Sequence, residues 1–213
     1  MSQANRSLSY SVRLEVVGKH LGELGLMLAL LSLVPLVVSI VFGELAFTLR
    51  YLIVILVLGA LSLPTLRLKS VEHIQTNEAL VVGALAFLLG SMVMTIPLSA
   101  GGVAWQDALF ESVSGITTTG LTTLASVEDK SATFLFSRSW MQWYGGLGIA
   151  VLSVALLMGQ NLATRRLIEP ARPDALFTTA RGYARQVLIG YTGLTLVGFA
   201  GLWAVSDSGF AAL

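Results

Sequence analysis

Residues 104–120 read Ala-Trp-Gln-Asp-Ala-Leu-Phe-Glu-Ser-Val-Ser-Gly-Ile-Thr-Thr-Thr-Gly and contain two segments with opposite preferences. The pattern over 104–116 is typical of an amphipathic helix, about 20 Å long at about 1.5 Å per residue. Such a helix is too short to cross a hydrocarbon core of about 30 Å. The threonines and glycine of 117–120 are poor helix formers, and β-branched side chains favour extended backbone. The sequence therefore predicts a short helix followed by an extended segment.

Five long segments of the chain lack Asp, Glu, Lys and Arg. A helix that crosses a membrane needs about 20 predominantly apolar residues. The five segments are 24–43, 51–66, 79–106, 139–164 and 186–206. The second is short, and we expect its helix to begin near Phe47, with the charge of Arg50 reaching the membrane surface. The sequence therefore predicts five transmembrane helices.

The composition excludes several classes of protein. Hydrophobic residues make up 55% of the 213 residues and charged residues 12%, with a mean hydropathy of +0.80. Soluble domains carry about 25% charged residues, so this chain has too few to cover a surface that faces water. The net charge of +1 offers no basic field for nucleic acid, and without cysteine the chain has no disulfide, thiolate metal site or cysteine nucleophile. We expect an all-α integral membrane protein.

The basic residues are unevenly distributed between the loops. With a cytoplasmic N-terminus, ten of the 13 Lys and Arg residues fall on the inside. The three on the outside are Arg50, Lys130 and Arg138. Because short cytoplasmic loops are enriched in basic residues, this distribution predicts a cytoplasmic N-terminus and, after five crossings, an external C-terminus.

The two neighbouring crossings place residues 104–120 on the external side, so we expect a re-entrant pore helix that enters the membrane from outside. Irregular backbone at membrane depth is tolerated where it lines a watery cavity. There its carbonyl oxygens would replace the hydration shell of a cation, and the negative end of the helix dipole would point to the same place. The predicted filter residues are Thr117, Thr118, Thr119 and Gly120. The alternative from composition alone is an ordinary external loop with a threonine-rich turn.

Charged residues flank this predicted filter. Asp107 and Glu111 are four residues apart and so lie on one face of the short helix. They either raise the cation concentration at the mouth of the pathway or have a structural role near the helix N-terminus. Arg138 begins the next crossing, and its guanidinium either extends to the membrane surface or pairs with one of these carboxylates.

Three further motifs have structural explanations. Gly145-Gly-Leu-Gly148 lies in an apolar crossing with no preceding strand, so it predicts close helix packing rather than nucleotide binding. Ser112-Val-Ser-Gly115 lacks the leading glycine of a serine-hydrolase turn and has no histidine nearby. Aromatic residues near the outer boundary are typical of a membrane-interface belt, and they are Trp105, Trp140, Trp143 and Tyr144. No nucleophile with a base is found, so we do not expect an enzyme.

Two blocks resemble a known family. Asp107-Ala-Leu-Phe-Glu-Ser-Val-Ser-Gly-Ile-Thr-Thr-Thr-Gly120 and Arg138-Ser-Trp-Met-Gln-Trp-Tyr-Gly-Gly-Leu-Gly-Ile149 are similar to the first pore loop and the following helix of the Trk/Ktr/HKT superfamily of potassium transporters. The first helix pair resembles the additional N-terminal hairpin of Trk-type members. A third block, between Glu169 and Arg181, is similar to the family's cytoplasmic connector. The resemblance thus covers nearly the whole chain.

The resemblance implies an organisation in repeats. In this family four helix–pore loop–helix units in one polypeptide surround one ion path. The corresponding parts of this sequence are an N-terminal segment with a two-helix hairpin (1–70), a first complete repeat (71–164), a cytoplasmic connector (165–185) and the first helix of a second repeat (186–213). One filter strand of four cannot enclose a cation, so we expect this sequence to be the N-terminal portion of a longer protein.

The resemblance also implies an activity. We expect potassium uptake across the bacterial cytoplasmic (inner) membrane, with this chain supplying one of four filter strands, potassium as substrate and no covalent cofactor. The alternative is a truncated, non-transporting scaffold or regulatory fragment that assembles with a complete transporter. The implied partners are membrane lipid, a cytosolic nucleotide-binding regulatory subunit and, in a homodimer, a second copy of the complete membrane subunit.

Overall fold

The computed structural model describes residues 12–68, 74–127, 129–165 and 173–205, and in this part of the chain it contains helices and no strand. The α-helices of the described residues are, in chain order, α1 (Leu14–Leu31), α2 (Leu33–Val41), α3 (Leu45–Ser62), α4 (Thr76–Leu98), α5 (Trp105–Ile116), α6 (Ala132–Arg165) and α7 (Pro173–Val205). Short 3₁₀ turns over Leu63–Arg67 and Ser99–Gly101 follow α3 and α4. The expected all-α class is confirmed.

Four helical segments among the described residues are long and apolar enough to cross a membrane. They are Leu14–Val41, Leu45–Arg67, Asn77–Gly101 and Ala184–Val205. These segments correspond to the expected crossings 24–43, 51–66, 79–106 and 186–206. The remaining expected crossing, 139–164, lies within the 34-residue helix α6, is not among the four, and stays a prediction.

Several helices begin earlier than predicted. Helix α1 begins at Leu14 instead of residue 24 and α6 at Ala132 instead of Arg138, whereas α3 begins at Leu45, close to the expected Phe47. The prediction ended each apolar run at a charged residue, but such side chains find polar partners and the helix continues past them. Lys19 Nζ donates to the carbonyl of Leu68 at 3.1 Å. Charged residues therefore do not mark these helix ends.

Helix α7 also begins earlier than expected. It starts at Pro173 and so includes the second half of the predicted connector 165–185. Proline suits the first position of a helix, because the amide that it lacks has no helical partner there. Residues 166–172 of the connector lie outside the described residues, as do residues 206–213 at the end of the predicted second-repeat helix.

The first crossing is interrupted at Ser32, between α1 and α2. Pro35 has no amide hydrogen, so it cannot donate the helical hydrogen bond to the carbonyl of Leu31, four residues earlier. The indole Nε1 of Trp140 in α6 donates to this oxygen instead, at 2.9 Å. The interruption therefore becomes a point of contact between the first crossing and α6.

An ion pair joins the start of α1 to the start of α4. Arg13 Nε lies 2.7 Å from Glu78 Oε1, and Arg13 Nη2 lies 2.8 Å from Glu78 Oε2. Hydrogen bonding to Glu78 holds the pKa of the Arg13 guanidinium above its ordinary value. Glu78 Oε2 also accepts a hydrogen bond from the amide of Gln75 at 2.9 Å, at the N-terminus of α4. The pair therefore fixes the N-terminal hairpin against α4.

Helix α5 packs against α4 and α6, and the core of the molecule lies around it. Core side chains with at most 2% exposure include Met94, Leu98, Ala108, Phe134 and Met141. The chain enters α5 through a turn at Gly102, whose φ of 67° is left-handed. This packing holds the short helix on both sides and leaves its C-terminal end to carry the predicted filter.

Candidate functional site

The short helix predicted over 104–116 is observed as α5, from Trp105 to Ile116. Its inner face is buried, with Ala108 and Ser112 both 0% exposed, whereas Trp105 is 54% exposed. Ser112 donates its hydroxyl to the carbonyl of Ala108 at 2.8 Å and so needs no partner outside the helix. The helix is confirmed, and its entry into a membrane from outside stays a prediction.

Helix α5 ends in a Schellman motif. The amide of Thr119 donates to the carbonyl of Ser114 at 2.9 Å, and the amide of Thr118 donates to the carbonyl of Gly115 at 3.0 Å. This motif places the residue after the C-cap in the left-handed region, where glycine is usual. Here that residue is Thr118, with φ of 59°. A β-branched residue in this conformation costs of order 1–3 kcal/mol, which the surrounding contacts must offset.

The expectation of an extended segment over 117–120 is wrong at Thr117 and Thr118. Thr118 and Gly120 are left-handed, with φ of 59° and 75°, and Thr117 has φ of −81° and ψ of 1°. The reason lies in the last carbonyl groups of α5, which have no partner within the helix. The amides that follow the helix turn back to pair with these carbonyls. Hydrogen bonding at the helix end therefore outweighs the β-propensity of the threonines.

All four amides of residues 117–120 are used in this way. Besides the two bonds of the Schellman motif, Thr117 N donates to the carbonyl of Val113 at 2.9 Å and Gly120 N donates to that of Ser114 at 3.4 Å. Within the described ranges, no group donates a hydrogen bond to the carbonyl oxygens of 117–120. Residues 118–120 are also exposed. The segment therefore leaves four carbonyl oxygens able to bind a cation.

Two of the three threonine hydroxyls of the segment, those of Thr117 and Thr119, bind the protein itself. Thr117 Oγ1 donates to the carbonyl of Val113 at 2.7 Å and lies 2.8 Å from Thr119 Oγ1. Because a hydroxyl has one hydrogen and Thr117 uses it on Val113, Thr119 is the donor in the pair. These two hydroxyls therefore stiffen the turn, and the carbonyl oxygens of 117–120 accept no hydrogen bond from the described residues.

Two carboxylates hold the segment that follows the turn. Glu111 Oε1 accepts hydrogen bonds from Thr122 Oγ1 at 2.6 Å and from Thr123 N at 3.0 Å. Asp107 Oδ1 accepts from Thr123 Oγ1 at 2.9 Å. Ser114 Oγ donates to the carbonyl of Leu121 at 2.6 Å. Glu111 is fully buried and has a structural role, which lies in holding the segment after the turn and not at the helix N-terminus.

Arg138 lies against the same carboxylate. Its Nε is 2.6 Å from Glu111 Oε2, in an ion pair that is not aligned as a hydrogen bond. The side chain of Arg138 is 18% exposed and that of Glu111 is 0% exposed. Of the two alternatives for Arg138, the structure therefore contains the pairing with a pore-helix carboxylate. The guanidinium balances a buried negative charge that would otherwise be unfavourable.

Helix α6 approaches the end of α5 closely at two glycines. A Cβ on Gly145 would overlap the carbonyl group of Ile116, the last residue of α5. A Cβ on Gly146 would lie 3.5 Å from Thr118 Cγ2. The predicted close packing at this glycine motif is confirmed for these two positions. The predicted filter therefore rests on the backbone of α6.

Two of the four expected belt residues also join helices, and the belt itself stays a prediction. The rings of Trp140 and Trp143 are stacked with centroids 5.1 Å apart and planes 6° apart. Trp143 Nε1 donates to Thr195 Oγ1 in α7 at 3.0 Å. Tyr144 is also largely covered, and only Trp105 is widely exposed. The belt interpretation missed these contacts because a local sequence does not show which helices meet.

Sequence reasoning also missed Ser114 and Gln142. Ser114 binds both sides of the turn, through its carbonyl and its hydroxyl. Gln142 lies beside Gly120, where a Cβ would be 3.3 Å from Nε2 of the amide. No local signal identifies either residue, because both contacts depend on how the chain reverses after α5.

The helices and the loop define an all-α integral membrane protein with a helix-and-turn segment suited to a cation. The chain belongs to the TrkH family of cation transport proteins, whose family model matches residues 43–212. Members of this family are transporters and not enzymes, as expected. The assignment also agrees with the Trk-type resemblance of the two sequence blocks.

Several curated relatives carry related names. The chain is 34% identical over 183 residues to the Trk system potassium uptake protein TrkI of Halomonas elongata, covering 82% of this chain and 37% of that protein. It is 32% identical over 171 residues to a cation transporter of Methanocaldococcus jannaschii, covering 79% and 36%. It is 29% identical over 187 residues to the Trk system potassium uptake protein TrkG of Escherichia coli, covering 83% and 38%. The chain thus spans just over a third of the length of these relatives.

Proposed function

We propose that this chain takes part in potassium uptake and that residues 117–120 form one strand of the selectivity filter. The observation that carries the proposal is the hydrogen bonding of the backbone in this segment. The four amides donate to the end of α5, whereas the four carbonyl oxygens accept no hydrogen bond from the described residues. Rings of such carbonyl oxygens replace the water shell of a cation in known filters.

The surroundings of the segment suit a positive ion. The C-terminal end of α5 carries the negative end of the helix dipole, and the segment begins at that end. Arg138 is a cationic side chain near the segment. It is paired with Glu111, so its positive charge is balanced. The Halomonas and Escherichia relatives are named as potassium uptake proteins, which supports potassium as the ion here.

A single strand bounds a cation on one side. Residues 118–120 are exposed, and a dehydrated ion needs ligands around it. In the proposed arrangement three further strands complete the cage, as the resemblance to four-repeat transporters implies. The ion is then held by a filter to which parts of the transporter beyond the described residues also contribute.

The proposed setting is the bacterial inner membrane with a cytoplasmic N-terminus. The distribution of basic residues supports this orientation. On this topology, residues 160–185 face the cytosol, where the proposed nucleotide-binding regulatory subunit would dock. The relatives' names describe members of a Trk system, which supports an assembly of several components, and a homodimer of the membrane subunit completes the proposal.

Gly120→Ser tests the filter assignment. Gly120 has φ of 75°, and a Cβ there would lie 3.3 Å from Gln142 Nε2, so serine should displace the carbonyl groups beside it. The gene, with its own flanking sequence, is expressed in a cell that lacks potassium uptake. We expect a loss of preference for potassium over sodium.

Gly43→Ser is the matched control for backbone strain. Gly43 has φ of 69°, has no neighbour within 4 Å of a Cβ, and lies in the turn between α2 and α3. This variant should keep its ion preference even where the amount of protein in the membrane falls. Unchanged preference in Gly120→Ser at normal abundance would remove the filter assignment.

A further inference from the structure

Tyr191 lies beside the predicted filter although it belongs to α7. A Cβ on Gly146 would be 2.6 Å from Tyr191 Oη and 3.5 Å from Thr118 Cγ2. The phenol oxygen and the threonine methyl group therefore border the same small space, which Gly146 leaves open on α6. A helix outside the pore loop thus approaches the same glycine of α6 as the strained residue of the loop.

Two contacts hold Tyr191 in this place. Its ring is tilted by 55° against that of Trp143, with centroids 5.7 Å apart. Trp143 Nε1 donates to Thr195 Oγ1, and Thr195 Oγ1 donates to the carbonyl of Tyr191 at 2.8 Å. Because Thr195 is one helical turn after Tyr191, these bonds fix the rotation of α7 about its axis and the direction of the phenol ring.

We propose that Tyr191 is a positioning residue of the filter segment, whose hydroxyl occupies the space at Gly146 and supports the left-handed conformation of Thr118. The inference rests on the proposed function of residues 117–120. A non-glycine residue stays in this region of φ only where its surroundings hold it there. Tyr191 acts on the ion through Thr118, and α7 thereby contributes to ion preference without lining the carbonyl cage.

The geometry makes Gly146 and Tyr191 complementary. Alanine at 146 would place its methyl group against Tyr191 Oη and displace the ring or Thr118. Phenylalanine at 191 would remove the oxygen and leave a space beside Thr118. With both changes the new methyl group takes the place of the oxygen, and it would lie 3.5 Å from the ring carbon Cζ, an ordinary contact distance. Each single change should therefore harm the site, and the double change should repair it.

The experiment measures uptake of rubidium in competition with sodium, using the gene with its flanking sequence in a cell that lacks potassium uptake. We expect Gly146→Ala and Tyr191→Phe each to lower the ion preference about tenfold, which corresponds to about 1.4 kcal/mol. The double variant should return to within about threefold of the unmodified protein, or about 0.7 kcal/mol. Gly148→Ala is the control on the same helix. Its methyl group would lie 3.9 Å from Phe87 Cζ, an ordinary contact, so the ion preference should be unchanged.

The comparison of variants separates the two proposals. A double variant as unselective as Gly146→Ala would overturn the role of Tyr191. So would unchanged preference in Tyr191→Phe at normal membrane abundance, a result that does not depend on Gly146→Ala reaching the membrane. If Gly120→Ser still loses preference in the same assay, the filter assignment survives either result, whereas unchanged preference in Gly120→Ser overturns the proposed function itself.

Discussion

Glu111 connects three parts of the loop through one carboxylate. Its Oε1 accepts from Thr122 and Thr123 after the turn, and its Oε2 lies 2.6 Å from Arg138 Nε in α6. A buried carboxylate without such partners would be unfavourable by several kcal/mol, so these groups depend on one another. Together they fix the chain on the far side of residues 117–120, and the Schellman motif fixes the near side.

Glu111→Ala should therefore destabilise the protein strongly. The change leaves the guanidinium of Arg138 without its partner, and breaking a buried pair costs about 3–5 kcal/mol. Asp107→Ala removes a single bond to an exposed threonine and should cost about 0.5–1.5 kcal/mol. Thermal unfolding in detergent compares the two variants. Equal losses of stability would contradict the central position of Glu111.

The sequence indicated which residues of the loop have a role but not which residues they contact. Spacing placed Asp107 and Glu111 on one face of a helix, which the structure agrees with. Their partner Thr123 lies beyond the turn, and its position follows from the reversal at Thr118. That reversal was missed because threonine propensity favours extended backbone, whereas the unpaired carbonyls at a helix end favour a left-handed turn.

The first crossing and α6 meet at an irregularity of the helix. The sequence shows that Pro35 leaves the carbonyl of Leu31 without its helical donor. It does not show that Trp140, more than one hundred residues later, supplies the replacement. Local rules thus explain the defect, and only the packing of α6 identifies the partner.

Trp140→Phe should lower stability in a way that depends on Pro35. Removing the indole N–H takes away a partly buried hydrogen bond to the carbonyl of Leu31, at about 0.5–1.5 kcal/mol. Pro35→Ala restores an amide four residues after Leu31, which can donate to the same oxygen. Trp140→Phe should therefore be less destabilising in the Pro35→Ala protein than alone. Unfolding midpoints of the four proteins in the cycle give the coupling, and additive effects would contradict this explanation.

Composition predicted the class of the whole molecule well, because 12% charged residues cannot cover a water-facing surface. The sequence also predicted the short helix, because 104–116 is too short to cross a membrane. The structure contains this helix as α5. The position of Tyr191 beside Gly146 could not be predicted from the sequence, because it depends on how α7 packs against α6. Tertiary contacts between distant helices account for most of what local patterns missed.

The central claim is that the carbonyl oxygens of residues 117–120 bind a potassium-like cation. The most direct measurement is the anomalous scattering of thallium(I), a potassium substitute, in crystals of the protein encoded by the gene with its flanking sequence. We predict a thallium peak in coordinating contact with these oxygens, and its loss in Gly120→Ser. Thallium bound elsewhere in the ion path, with these carbonyl groups hydrogen-bonded to protein, would contradict the claim.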